Sequence, residues 1–117
     1  MRLDNHMRKP TIYIAEFEEL VLLAILKLGD DAYGAAIHEA LEDVGRRVSI
    51  GALYTTLSRV EEKGLVSSWT GEPTSERGGR AKKYFKVRSP GERALREAHA
   101  ARAKLSSEFS FTFGGAA

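Results

Sequence analysis

The sequence predicts a mainly α (α+β) chain in which three helices precede a two-stranded hairpin and a fourth helix follows it. Three observations carry this expectation. Apolar residues recur at helical spacing in four separate stretches, glycines close the first three, and two β-prone runs flank a glycine-rich link. A chain of 117 residues has room for a single core. Its charged fraction of 29% against 43% hydrophobic residues describes a globular protein rather than a disordered one.

Residues 1–15 show no clean periodicity and contain Pro10, so they read as an arm, with Ile12 and Ile14 placed to pack on the body. The first helix runs Glu16–Leu28 and stops at Gly29. Phe17, Leu20, Val21, Ala24, Ile25 and Leu28 form one stripe on it, while Leu22, Leu23 and Leu26 lie off that stripe. A helix apolar nearly all round must be covered on two sides, and the second cover is expected to be a partner subunit. The second helix, Tyr33–Val44, is expected to be capped by Asp30 or Asp31; Tyr33, Ala36, Ile37, Ala40, Leu41 and Val44 make its core stripe, and Gly45 ends it.

Ser49 is placed to cap a third helix, Ile50–Lys63, which Gly64 stops. Leu53, Leu57 and Val60, led by Ile50, form its narrow core stripe. The β-prone runs are Leu65–Thr70 and Lys83–Arg88, joined by a link holding Gly71, Pro73, Gly78 and Gly79. Ser89-Pro90-Gly91-Glu92 then reads as a capping box that starts a last helix, Pro90–Glu108. Ala94, Ala98, Ala101 and Leu105 make a seam on that helix, with Leu95 and Phe109 beside it.

Three helices followed by a hairpin make the winged variety of helix-turn-helix, which places the third helix to enter a DNA major groove. The expected division is an arm (1–15), a winged helix body (16–89), a C-terminal dimerisation helix (90–109) and a tail (110–117). Charge distribution points the same way. The net charge is only +2, yet residues 77–88 hold Arg77, Arg80, Lys82, Lys83, Lys86 and Arg88 with no acid, while residues 16–43 are acidic apart from Lys27. A basic hairpin on an otherwise acidic body suits a polyanion.

A groove-entering helix must be apolar behind and small or hydroxylated in front. Ser49, Gly51, Ala52, Thr55, Thr56 and Ser58 meet that requirement: hydroxyls bond phosphates or base edges, and small methyl-bearing residues touch the thymine methyl. Tyr54 offers its phenol to a phosphate or packs against the second helix, and Arg59 is the one long donor, expected on phosphate. In the hairpin, Gly78 and Gly79 let the chain approach a phosphate closely, and Arg77, Arg80, Lys82 and Lys83 surround them with charge. Arginine at such a tip suits the minor groove. The alternative is a winged helix used as a protein-interaction module, which predicts an apolar or acidic third-helix surface. Salt separates the two, because phosphate neutralisation makes affinity fall steeply with ionic strength.

Other chemistries find no motif. His6, His38 and His99 are scattered without H-x-x-x-H spacing, His38 is expected on the solvated side of its helix, and there is no cysteine. No phosphate loop or nucleophile motif occurs, so neither catalysis, a cofactor nor a metal site is expected. The longest apolar run, Leu20 to Leu26, falls short of the roughly 20 residues that span a bilayer. The N-terminus lacks the apolar core of a secretory signal, so a cytoplasmic protein is expected.

The strings "YGAAIHEAL", "SIGALYTTLSRVEEKGLV" and "RGGRAKKYFKVRSPGERAL" resemble the PadR family of transcriptional regulators, over about Phe17 to Leu105. That resemblance implies a winged-helix homodimer on double-stranded DNA, usually a repressor, whose C-terminal helix pairs with the partner subunit. It also implies that Tyr33, Tyr54, Thr55, Arg77, Gly79, Arg80 and Lys82 lie at or near DNA. Some relatives carry a large helical C-terminal domain; this chain, with one such helix, resembles the compact branch. An alanine seam buries little area, so the expected dimer surface draws on Phe17, Leu22, Leu23 and Leu26 together with Ala94, Leu95, Ala98, Ala101 and Leu105. The resemblance leaves room for a small-molecule effector whose identity no residue declares. Certain compact relatives hold flat drugs between interface tryptophans. Trp69, the only tryptophan here, belongs to the hairpin, so that role does not transfer.

Overall fold

The computed structural model describes residues 11–72 and 81–109. Helix α1 spans Glu16–Leu28, α2 Gly34–Asp43 and α3 Ile50–Glu62; strands β1 (Val66–Thr70) and β2 (Lys83–Val87) follow, and α4 covers Ser89–Ser106. The strands pair antiparallel from Val66 opposite Val87 to Thr70 opposite Lys83. The fold class is the expected one: mostly helical, with a small antiparallel wing.

The core explains the order. Val21, Leu22 and Ile25 of α1 meet Ile37 and Leu41 of α2, Leu53, Leu57 and Val60 of α3, and Leu65, Val66, Phe85 and Val87 of the hairpin. Ile12 and Ile14 of the arm pack against this cluster, as does Phe17. The α3-to-β1 turn is made by Gly64, whose φ of 78° is open to glycine and resisted by other residues. At the root of α4, Gly91 lies so close to Leu65 that an added Cβ would fall 2.4 Å from its carbonyl oxygen. Arg88 N–H donates to that same carbonyl at 2.8 Å, so α4 starts directly off the hairpin's base.

Several details depart from the sequence expectations. Asp30 and Asp31 do not cap α2. They form a 3₁₀ turn, Gly29–Asp31, and Tyr33 takes the cap position without a side-chain bond. The reason is a competing backbone interaction. Phe85 N–H donates to Ala32 O at 2.8 Å and Tyr33 bridges Tyr84, which draws residues 32–33 toward β2. Ser89 likewise is not the cap of α4: Arg88 is, with Ser89 and Pro90 in the first turn, and the helix ends at Ser106. Ile50 and Val44, placed on core stripes, are exposed because each sits in a terminal turn beyond the reach of the core.

Two residues assigned to the dimer surface are also corrected. Leu22 is fully buried in this chain's own core, and Ala94 is 1% exposed, so neither has surface to offer a partner. Facing α1 from the other helices puts Leu22 inside, a distinction that periodicity along one helix does not make. His38 is not simply solvated; its Nε2 lies 2.6 Å from Val48 O and ties α2 to the turn before α3.

The acidic start of α1 is the main polar structure of the fold. Glu18 is 2% exposed, accepts from Ala15 N–H at 2.8 Å, and receives Lys63 Nζ at 2.8 and 3.0 Å. Glu16 pairs with Arg46, and Glu19 with Arg102 of α4. Burial pushes the Glu18 carboxyl up, but Lys63, the Ala15 N–H and the nearby Arg59 together outweigh it and hold the group below its ordinary value.

Removing Lys63 strands a nearly dry carboxylate. Lys63→Met is expected to cost about 1–2 kcal/mol by urea unfolding, less than the roughly 3–5 kcal/mol of a fully buried pair because Lys63 keeps partial solvent contact. The pH dependence has a defined sign. A carboxyl held below 4.5 contributes stability that is fully present above that value and is lost as pH falls through the lower folded-state value. The stability gap between wild type and Glu18→Gln should therefore narrow on acidification; an unchanged gap down to about pH 3 would contradict the pairing.

Candidate nucleic-acid interface

The exposed side of α3 carries Gly51, Ala52, Tyr54, Thr55, Ser58, Arg59 and Glu62, with the exposed cap Ser49 at its start. Leu53, Leu57 and Val60 face inward, and so does Thr56, at 6% exposure. Thr56 therefore leaves the set of hydroxyls available to a ligand; its Oγ1 donates to Ala52 O at 3.2 Å.

The remaining hydroxyls differ in what they have left to give. Ser49 Oγ accepts from Ala52 N–H at 3.0 Å, the standard cap bond, and its own proton stays free to donate. Thr55 does the reverse. Its Oγ1 donates to Gly51 O at 3.0 Å, leaving an acceptor lone pair and a methyl group exposed. A phosphate only accepts hydrogen bonds, so Ser49 suits it and Thr55 in this rotamer does not. Thr55 instead matches base edges that donate, adenine N6 or cytosine N4, or the thymine methyl.

Tyr54 lies across α2. An added Cβ on Gly34 would sit 1.8 Å from the Tyr54 hydroxyl, so the absence of a side chain there makes the seat for the ring. Next to Gly34, Tyr33 meets Tyr84 edge-on at 5.7 Å, and Tyr84 stacks on Trp69 at 5.9 Å and 16°. Lys82 Nζ stands 4.1 Å from the Tyr33 ring centroid, and Lys83 Nζ 5.8 Å from that of Phe85. A cation over an exposed ring gains about 0.5–1 kcal/mol, enough to bias the lysine without fixing it. The N-terminus of α2 thus joins α3 to the wing, and Tyr54, Tyr33 and Lys82 share one surface around it.

Arg77, Gly78, Gly79 and Arg80 lie outside the described residues, so the placed part of the basic hairpin is Lys82, Lys83, Lys86 and, at its base, Arg88. Sequence reasoning passed over Arg46 and Arg47. Arg46 is held by Glu16, at 2.9 Å and 2.6 Å, while Arg47 is exposed and precedes the cap Ser49 by two residues. Two arginines just ahead of a predicted cap were a legible signal for charge at the entrance of α3. Among the described residues no cluster of three or more His, Asp or Glu side chains forms a metal site.

This is the architecture of a winged-helix regulator of transcription: a helix-turn-helix whose second helix presents small and hydroxylated residues, with a wing bridged to the same frame. Residues 22–97 match the transcriptional regulator PadR-like family, and the chain belongs to it. It is a DNA-binding regulator of that family, not an enzyme. Among solved structures, a PadR-like transcription factor from Bacteroides fragilis is 28% identical with a TM-score of 0.64, the match covering 78% of this chain and 84% of that one. A PadR family regulator from Eggerthella lenta is 30% identical with a TM-score of 0.62, covering 79% of this chain and 80% of the other. A relative from Clostridium difficile, at 23% identity and a TM-score of 0.61, supports the fold over 80% of this chain and 97% of its own. Among curated protein sequences none is significantly similar.

The seat of Tyr54 is directly testable. Gly34→Ala is expected to destabilise the protein by about 1–3 kcal/mol through overpacking. Adding Tyr54→Ala should return part of that loss, a coupling visible in thermal unfolding of the two single variants and the double variant. Strictly additive effects would mean that the two residues do not meet.

Proposed function

We propose that this chain is a dimeric repressor that binds a pseudo-palindromic operator. In this reading α3 enters the major groove and the wing lies along the backbone, with its arginine tip in the minor groove. The observation that carries it is the exposed face of Thr55, Ser58 and Arg59 on α3 with its cap Ser49, linked through Tyr54 on Gly34 to Tyr33 and Lys82. That surface is small in front, cationic at its margins and free of acids until Glu61 and Glu62 at its far end. Gly51 and Ala52 allow close approach, Tyr54 lines the edge, and Lys83 with the tip residues Arg77, Gly78, Gly79 and Arg80 completes the contact set. Phosphate bonds go to Ser49, Arg59 and the lysines; base preference goes to Thr55 and Ala52. Among the described residues no helix is long and apolar enough to cross a membrane, and a DNA-bound regulator acts in the cytoplasm.

The dimer in this reading is centred on the face shared by α1 and α4. Leu23 and Leu26 are 45% and 46% exposed on α1, and Leu105 is 81% exposed on α4. Between the two helices runs a groove of about 610 Å³ whose apolar wall is Leu23, Leu26 and Leu95. Phe17 is half-buried and packs against the core cluster, as do Ile12 and Ile14 of the arm. The arm itself lies beside Ala98 and Ala101, across a cavity of about 180 Å³. Small side chains on α4 thus accommodate the chain's own residues 11–14 as well as any partner.

Anisotropy with duplex from upstream of the encoding gene, at several salt concentrations, tests the DNA reading. Lys83→Ala and Arg80→Ala are each expected to lower the salt slope by roughly 0.9 and weaken all sequences alike, whereas Thr55→Ala should change the ranking of sequences. Identical behaviour of all three would overturn the division of roles. A salt-insensitive partner would favour a protein-interaction module instead. Leu23→Asp is expected to convert a dimer into a folded monomer by light scattering with unchanged circular dichroism; a persisting dimer would move the interface elsewhere.

A further inference from the structure

We infer that the cavity at the root of the wing binds a small aromatic ammonium compound, one ring carrying a protonated amine. The cavity, of about 130 Å³, lies where the end of α1, the hairpin and the first turn of α4 meet. Ile25 and Val87 form its apolar floor, Trp69 one wall, and Asp30, Lys86 and Glu92 its charged margin. The inference goes beyond the DNA reading and does not need it.

Size selects the ring. An apolar cavity of about 150 Å³ holds one benzene molecule, so this one takes a single six-membered ring. Trp69 is 46% exposed, with a π surface to offer, and its position is fixed by stacking on Tyr84 at 5.9 Å.

Charge selects the substituent. None of Asp30, Lys86 and Glu92 has an ion-pair partner among the described residues. Two carboxylates against one ammonium leave the margin net negative at neutral pH. A cationic head beside the indole gains both from the carboxylates and from the ring quadrupole, while an aromatic carboxylate meets repulsion. There is also a way in. Leu26 and Glu92 line this cavity and the neighbouring groove alike, so a short side arm on the ring has a path toward the groove. The ring's seat belongs to one chain, whether or not a second copy covers the groove.

The single tryptophan makes the test direct. The full chain is titrated with phenethylamine, 2-phenylethanol and 3-phenylpropionate, three ligands alike in ring and differing in charge, and Trp69 emission is followed. The amine is expected to give a saturable change with a Kd on the order of 0.1–1 mM, and the alcohol and the acid to bind roughly tenfold more weakly or not at all. The double variant Asp30→Asn, Glu92→Gln, checked for fold by circular dichroism, should weaken the amine by roughly tenfold. Lys86→Met should tighten it, a readout that holds even if the double variant fails to fold. Equal responses to the three ligands, a non-saturating change, or amine binding indifferent to these substitutions would overturn the assignment. DNA binding is not part of the measurement, so its outcome leaves the operator reading untouched.

Discussion

The nearly dry Glu18 carboxylate needs a cation, and the place where Lys63 satisfies it fixes the far end of α3 against the beginning of α1. An exposed ion pair contributes little, because water competes and two long side chains must be held still. Glu16–Arg46 is of that kind, and Glu19–Arg102 is only partly shielded. Glu18 differs because its charge is already out of water, so losing the partner leaves an uncompensated ion. The pair therefore acts as a register pin. Sliding α3 along α1 by one turn would separate the charges, whereas the apolar contacts of Leu53, Leu57 and Val60 alone would tolerate more slippage. Ser68 Oγ, donating to Glu61 at 2.7 Å, adds a second tie at the same end of α3 and extends it to β1.

From that pin the wing inherits its direction. Its base is held by the Arg88–Leu65 backbone bond and the close approach of Gly91, its second strand by Phe85 N–H on Ala32 O, and its outer face by the Trp69–Tyr84–Tyr33 row. Backbone bonds set position while the rings resist rotation about them. A surface made of two separate elements recognises a rigid duplex well only if both are carried on one frame, since each free joint costs ordering entropy on binding. Here α2 supplies the joint: Gly34 seats Tyr54 of α3, and its neighbour Tyr33 touches β2.

Helix positions and the wing were legible because their signals are local. Ser49 caps α3 as its type and place suggest, and α1 has the bounds its apolar run implies. Apart from Ile50 and Val44, which sit in terminal turns, the main errors share one cause, which is that a competing partner lay far along the chain. Asp30 and Asp31 had the right chemistry for a cap, but residues 32–33 were claimed by a strand fifty residues on. Glu18 stands among the acids of residues 16–43 with nothing near it in the sequence to single it out, because its cation lies 45 positions away. Leu22 and Ala94 looked like outward apolar residues because stripe analysis sees one helix at a time. The candidate site was legible in residue type and not in residue state. Nothing in the letters says that Thr55 donates inward while Ser49 keeps its proton.

That difference in state bears on how a DNA-binding surface of this kind divides its work. Hydroxyls on a helix compete with water for the preceding carbonyls, and two threonines of α3 have settled on that internal bond. Their cost of reorientation is then part of any contact that needs them as donors. In the proposed reading, long-range attraction comes from cations that form no ion pair among the described residues: Arg47 at the entrance, Arg59 midway, Lys83 on the wing, and Lys82 once it leaves the ring of Tyr33. These are spread over three elements, whereas Ala52 and Thr55, to which the proposed operator reading gives base preference, sit three residues apart on one. The proposed division, affinity from many distributed cations and selectivity from a short stretch of helix, rests on that layout. It also explains why the frame around Glu18 matters so much. In the proposed reading, an error of about an ångström in α3 would leave the cations in reach of phosphate but would take Thr55 away from a base edge.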